Sequence, residues 1–479
     1  MSRIIYPVFI DLPGPLLYNP QHIIHWMEDG MTEYMHALKV KWQNSSFVRT
    51  FNMQDDKAKG RSYILISSIL SSIAGQLSGG IFYTGFLLSY GINTVNIGII
   101  TFVPALTRLL SMFSPFILER FRKRKGILTA LGMLASAINI LGITLLPDLI
   151  QTETGRVIGF TCLVTLSSAI SAIVDPGYST WHAQFLPEET RMDYFTLSSC
   201  INSFLTSGIV LVLSIVTDSF AGSPKQLEII TGFRYAALVI SILHFIALAI
   251  PKEFPYQRSK EKIKISDIIV LPFHNKKFLH TVMLIGLYYI GTNLTAASIN
   301  IFMLQDLGIS YTTINFINAI YFLFFIFFGN MWKRLIKQKS WFKTFAIAQF
   351  MQGPTYLLYA FVTPGNSSWL WIAIRLIQHV IGVGCNSVLA SMVYVNLPNK
   401  DQTNYMSFYS ILINFSSFLS MMLGTMFISG MGEKTLNFLG FEMSGVPILL
   451  FMTGIFQILV GVLFVRFNDH LQPDNRLEN

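Results

Sequence analysis

Between Arg61 and Arg466 the chain runs through about twelve apolar stretches, each near the 20 or so residues that a helix needs to cross hydrocarbon. Lipid offers no partner for a peptide group, so a chain of this pattern must close its backbone hydrogen bonds inside helices. The stretches fall near 62–89, 95–118, 126–147, 156–180, 194–217, 231–250, 278–304, 312–331, 341–363, 368–395, 404–430 and 446–466. With 52% apolar residues, 12% charged residues and a mean hydropathy of +0.53, an ordinary soluble domain is excluded. The expected fold class is an all-α polytopic membrane protein with the lipid bilayer as its surroundings.

The formal charge of +9 does not point to nucleic acid, because the basic residues cluster in short connections between apolar runs. Arg120, Arg122, Lys123, Arg124 and Lys125 follow the second run, and Lys333, Arg334, Lys337, Lys339 and Lys343 follow the eighth. The segment 251–277 is basic as well, whereas the loops near Asn93, Ser310 and Gly365 carry almost no charge. By the positive-inside rule the basic loops and both termini are expected in the cytoplasm, in a multi-pass protein of the cell (inner) membrane. Cys162, Cys200 and Cys385 lie in apolar runs without metal-ligand spacing, so neither a metal nor a cofactor is expected.

The chain repeats itself. Ala74-Gly75-Gln76-Leu77-Ser78-Gly79-Gly80 returns in kind as Gly291-Thr292-Asn293-Leu294-Thr295-Ala296-Ala297. Gly91-Ile92-Asn93 returns as Gly308-Ile309-Ser310 at the same offset, and Leu186-Pro187 with Tyr194 matches Leu397-Pro398 with Tyr405. Two six-helix halves of like orientation are expected, 61–250 and 278–466, joined by a cytoplasmic linker at 251–277. Segment 1–60 precedes them, and residues 467–479 form a polar tail. Ile24, Met27, Met31, Met35, Leu38 and Trp42 recur at helical spacing, which suits an amphipathic surface helix, although an irregular tail fits equally well.

These features resemble the major facilitator superfamily from about Arg61 to Arg466. Its loop signature is similar to Pro115-Phe116-Ile117-Leu118-Glu119-Arg120-Phe121-Arg122-Lys123-Arg124, with Glu119 for the usual aspartate and Pro115 and Arg122 for both glycines. The stretch from Trp181 through Leu186-Pro187-Glu188 to Tyr194 resembles the connection after the fourth helix in many bacterial members. The resemblance implies a cytoplasmic gate in which Asp175 meets Arg120 or Arg124 beside Glu119. It also implies a weaker counterpart at Lys333, Arg334 and Asn386. The alternative for these loops is a solvated topology signal.

Polar groups inside the runs are the candidate solute contacts. Arg108, in the second run, costs about 2.5 to 3.5 kcal/mol to insert and must find a partner or water. Arg375, Gln378, His379 and Asn386 form the strongest polar stripe, on the tenth run, where the resemblance places the central cavity. His379 is the candidate proton carrier, since its unperturbed pKa lies near neutrality, with packing as the competing role. Gln76 and Tyr83 on the first run face Tyr289, Asn293 and Asn300 on the seventh, with Asn202 and Asn414 completing the wall. No acidic residue falls near the expected midplane.

No HExxH, GxSxG, Walker or dinucleotide motif is present, so an enzyme is not expected and no catalytic residue is assigned. The reading is a secondary active transporter, a permease of symporter or antiporter type, that moves a small organic solute by alternating access. A non-transporting membrane sensor or scaffold with a carrier fold, and a lipid flippase, are the alternatives. A monomer is the family default.

Overall fold

The computed structural model describes residues 55–118, 121, 123–186, 188–253, 265–398, 402–438 and 440–472, together with Val48 and Phe51. The expected surface helix before Asp55 and the tail after Gln472 lie outside the described residues, as do Glu119, Arg120 and Arg122. The first half comprises α1 (Asp56–Ser78), α2 (Gly80–Ser89), α3 (Thr94–Thr107), α4 (Ser114–Leu118), α5 (Lys125–Ala137), α6 (Ile143–Leu149), α7 (Glu153–Ala183), α8 (Glu188–Asp218) and α9 (Lys225–Ala249). A linker helix α10 (Ile265–His274) comes next, within the segment expected to be a simple connection. The second half comprises α11 (Lys276–Asn293), α12 (Ile299–Ile301), α13 (Tyr311–Ala319), α14 (Tyr321–Lys339), α15 (Trp341–Tyr359), α16 (Ile372–Val395), α17 (Gln402–Met431) and α18 (Gly445–Leu471). A small antiparallel hairpin, β1 (Leu436–Phe438) and β2 (Phe441–Met443), joins the last two helices and was not foreseen.

Ten helical segments among the described residues are long and apolar enough to cross a membrane. The count expected from sequence was about twelve. The two remaining stretches are helical as well, but one breaks after Asn293 and the other, Trp341–Tyr359, carries Lys343, Gln349 and Gln352. Both are integrated in the second half: α15 packs along α18, and α11 packs against α17 and α18.

The repeated strings have a structural meaning. Gly91 and Gly308 adopt φ of 78° and 64°, the left-handed region that glycine enters without a Cβ clash, and each precedes a capping residue. Asn93 accepts the Asn96 amide at 2.9 Å, and Ser310 accepts the Thr313 amide at 3.1 Å. Each half thus starts its second helix with the same turn-and-cap device.

The longer strings mark breaks. The sequence alone suggested unbroken helices over 62–89 and 278–304, but α1 ends at Ser78 and α11 ends at Asn293. Gly80, at φ 56°, starts α2 on a shifted path. A break releases carbonyls that must be satisfied in hydrocarbon. In the first half Arg234 does this: its Nη1 donates to the Ser78 carbonyl at 2.7 Å. In the second half the Ser420 hydroxyl bonds the Ile290 carbonyl, and Gly424 lies against the Leu294 carbonyl where a Cβ would overlap it.

Arg234 also holds the third apolar run. That run widens into a π-turn at Ile138–Gly142, and Arg234 Nη2 reaches the Asn139 carbonyl at 2.9 Å while Nε donates to Thr144 Oγ1 at 2.8 Å. Its guanidinium stacks over the Phe86 ring at 4.9 Å and the Tyr83 ring at 5.4 Å. The side chain is 1% exposed. Arg234→Met should lower stability by about 3 kcal/mol, since at least two buried carbonyls lose their donor, and Arg234→Lys should recover less than half of that. Thermal unfolding of the purified protein in detergent reads both.

Candidate functional site

Buried clusters that draw on both halves lie toward one face. Toward the neutral face, carrying the loops near Asn93, Ser310 and Gly365, one buried cluster combines Ile81, Phe82 and Val210 with Phe302, Tyr311, Trp371 and Leu450. A second joins Phe86, Ile97 and Phe160 to Ile301. Toward the basic face each cluster draws on one half: Leu118, Val174, Trp181 and Leu248 in the first, and Phe278, Trp332, Phe345 and Phe464 in the second. The buried apolar packing shared between the halves therefore concentrates on the neutral side.

Helix pairs α3 with α17 and α8 with α13 form the seam. Phe82 stacks on Tyr311 at 5.6 Å, and Phe102 meets Phe418 edge-on at 5.7 Å. Polar contacts cross with them: Asn315 Nδ2 donates to Ser214 Oγ at 2.8 Å, and the Asp218 carboxylate, at the end of α8, accepts the amides of Tyr311 at 3.1 Å and Thr312 at 2.6 Å. A carboxylate at a helix N-terminus answers both the unpaired amides and the helix dipole.

Of the expected solute contacts, Arg375, Gln378 and His379 gather with the eighth and ninth apolar runs. Arg375 donates to Gln378 Oε1 and to Asn318 Oδ1, each at 2.9 Å, and Gln378 Nε2 donates to Thr355 Oγ1 at 3.2 Å. His379 is buried, with Nε2 at 2.8 Å from the Ile317 carbonyl and its ring against Tyr321 and Phe324. A carbonyl only accepts, so Nε2 carries the proton. Asn386 donates to the Tyr321 hydroxyl at 2.9 Å from an exposed position.

Asn293 Nδ2 bonds the Tyr289 carbonyl at 2.8 Å and approaches Ser417 Oγ at 3.4 Å. Asn414 similarly turns back to the Ser410 carbonyl at 2.8 Å. Asn202 bridges helices, donating to Ser72 Oγ at 2.9 Å. Gln76 is exposed beside the break after Ser78, and Tyr289 and Asn300 are half-buried. Tyr83 departs from the expected wall: its ring lies under Arg234, and its buried hydroxyl has no hydrogen-bond partner among the described residues.

The gate residues are distributed differently from the expectation. Glu119 and Arg120 lie outside the described residues, Arg124 is buried with Nε on the Phe121 carbonyl at 3.2 Å, and Lys333 and Arg334 are exposed. The acid at the start of α5 is Glu253, which accepts the Lys125 amide at 2.9 Å. Asp175 faces a water-accessible space with Arg108 as the basic group acting on it. The short 3₁₀ stretch Arg108–Phe113 after Pro104 turns Arg108 toward that space, as a proline inside a helix allows.

Two neighbouring cavities lie within the first half. One, of about 350 Å³, lies between α1, α5, α7 and α9 and is lined by Ser67, Ser71, Ser136, Asp175, His182 and His244 among others. The other, of about 180 Å³, is bounded by Arg108, Asn139, Ser167 and Ser168 and shares Ser136, Ser171 and Asp175 with the first. Sequence reasoning missed His182, His244 and Arg234. The signal was available for His244 and Arg234, which interrupt the same apolar run and incur the insertion cost that singled out Arg108. Among the described residues no group of three or more metal-ligating side chains is assembled.

Residues 281–478 match the family model described as Major Facilitator Superfamily. The match lies within the second half of the chain. No curated relative matches it. Among solved structures, a variant of the nucleoside transporter NupG superposes with a TM-score of 0.63 at 12% identity, covering 85% of this chain and 99% of that one. The POT family transporter PepTSo gives 0.63 at 12% identity over 86% and 98%. A bacterial homologue of the iron transporter ferroportin, in an inward-facing state, gives 0.62 at 13% identity over 85% and 98%. These likenesses establish a shared fold.

Removing the Asp218 carboxylate should loosen the neutral-face seam. Thr425, 5% exposed and set against Gly98 across the seam, is a suitable reporter. In a background with Cys162, Cys200 and Cys385 replaced, Thr425→Cys should react with a maleimide about tenfold faster when combined with Asp218→Ala, as expected for loss of about 1.4 kcal/mol of charge-assisted bonding.

Proposed function

We propose that this chain is a secondary active transporter that carries a small organic solute across the membrane by alternating access, as a symporter or antiporter driven by a proton gradient. The observation that carries this reading is the asymmetry of the seam: two repeated halves are packed together at the neutral face and separate at the basic face. Rocking the halves about such a cleft exposes one binding site to each side in turn. The basic loops support a cytoplasmic basic face in the inner membrane, with both termini inside. The open cleft then faces the cytoplasm, and the unit of transport is a monomer.

Solute contacts are assigned to Gln76 and Asn293 at the two helix breaks, and to Arg375 with Gln378 on the tenth apolar run. Arg375 is held between two amide oxygens and not by a carboxylate, which leaves its charge available to an anionic group of the solute. Asn202, Asn300, Tyr289 and Asn414 contribute polar wall. His379 is assigned to bracing, because its donor nitrogen is committed to the Ile317 carbonyl inside an aromatic setting. The Asp218 seam closes the neutral side, and Glu253, Asp175, Lys333 and Arg334 belong to the basic-side gate.

A thermal-shift screen of solutes on purified protein supplies the compound for transport. In proteoliposomes Arg375→Ala and Asn293→Ala should each lower counterflow of that solute by about tenfold or more, the loss expected for a charged or buried hydrogen bond. Full counterflow in both variants would place the binding site elsewhere.

A further inference from the structure

The larger cavity of the first half holds a pair of imidazoles that the solute site does not use. Asp175, Tyr178 and His182 succeed one another at spacings of three and four on α7, so they share a helix face, and all three line the cavity. His244 enters from α9. All of them lie near the helix ends at the basic face, α7 ending at Ala183 and α9 at Ala249.

His244 Nδ1 lies 2.8 Å from both the carbonyl oxygen and the hydroxyl oxygen of Ser67, the first an acceptor and the second a donor or an acceptor. A neutral imidazole carries a hydrogen on one ring nitrogen only, so His244 keeps one lone pair that can take a proton. His182 presents an unfilled position: its buried Nε2 has no hydrogen-bond partner among the described residues. An orphaned buried nitrogen is rare in a folded protein and calls for a water or a proton.

We propose that His182 and His244 form a proton-binding site within the first half, loaded from the basic face through the serine-lined cavity. Its use as the coupling site rests on the transport reading above, whereas proton binding itself does not. The charged and titratable groups facing the pair are Asp175 and Tyr178 from α7, with Arg108 across the neighbouring cavity. The α1 wall offers serines and the α5 wall Gly132 and Ser136. Like charge disfavours a second imidazolium beside the first, so the pair takes up one proton as a unit. Asp175, which has no ion-pair partner within 4.0 Å among the described residues, supplies the opposing charge.

Trp181 is a built-in reporter, its ring centroid lying 5.4 Å from that of His182. The difference in tryptophan emission between the wild-type protein and Trp181→Phe, recorded in detergent from pH 4 to 8, should show one protonation step. That step should vanish in His182→Gln and move by about one pH unit in His244→Gln. A flat difference trace, or an unchanged step in His182→Gln, overturns the proposal. Potentiometric titration over the same range supplies a second reading: H182Q/H244Q should bind about one proton fewer per molecule than wild type, and equal binding also overturns it. Neither measurement needs a solute, so failure of transport and failure of the proton site are separately visible.

Discussion

One buried guanidinium organises the first half. Arg234 collects the carbonyl that α1 releases at its break and the carbonyls that the third run releases at its π-turn, and it is roofed by two aromatic rings. A charge so deep in a membrane bundle is costly unless every donor is used. Conversely, the broken helix and the π-turn would each leave orphaned acceptors without it. The three features stabilise one another, and the polar cavities of this half lie beside the distortion they create. The second half meets the same need without charge, through the Ser420 hydroxyl and the close approach of Gly424 to α11.

That difference bears on how the halves divide their work. The second half is densely packed toward the basic face by Trp332, Phe342, Phe345 and Phe464, with α15 running along α18. The first half keeps open, hydroxyl-lined space between α1, α5, α7 and α9. The two halves therefore carry unequal chemistry: Arg375, Gln378 and His379 lie on the tenth apolar run, and His182 and His244 lie on α7 and α9. The neutral-face seam links them, since apolar stacking and the Asp218 contact act at the far end of both.

Much of this was legible beforehand where the signal was local. Hydrophobic runs gave helix positions to within a few residues, as for α17 and the third run over Lys125–Leu149, because crossing hydrocarbon fixes length and composition. The repeated Gly91 and Gly308 turns were visible as punctuation. Side-chain direction was not legible. Gln76 and Tyr83 were grouped on one face of a continuous helix, but the break after Ser78 rotates α2 relative to α1 and places Tyr83 under Arg234. His379 stood out as the candidate proton carrier on a polar stripe, yet the deciding contact is the Ile317 carbonyl, far away in sequence.

By itself the sequence determined the class of fold, since hydrophobic length and composition along the chain dictate it. Tertiary structure alone decided where helices break, which polar groups satisfy one another and which remain open to a cavity. The physical reason is that a polar atom in a membrane is governed by its partner. Partners such as Arg234 and Ser78, or Asp218 and Thr312, lie on different helices that only packing brings together.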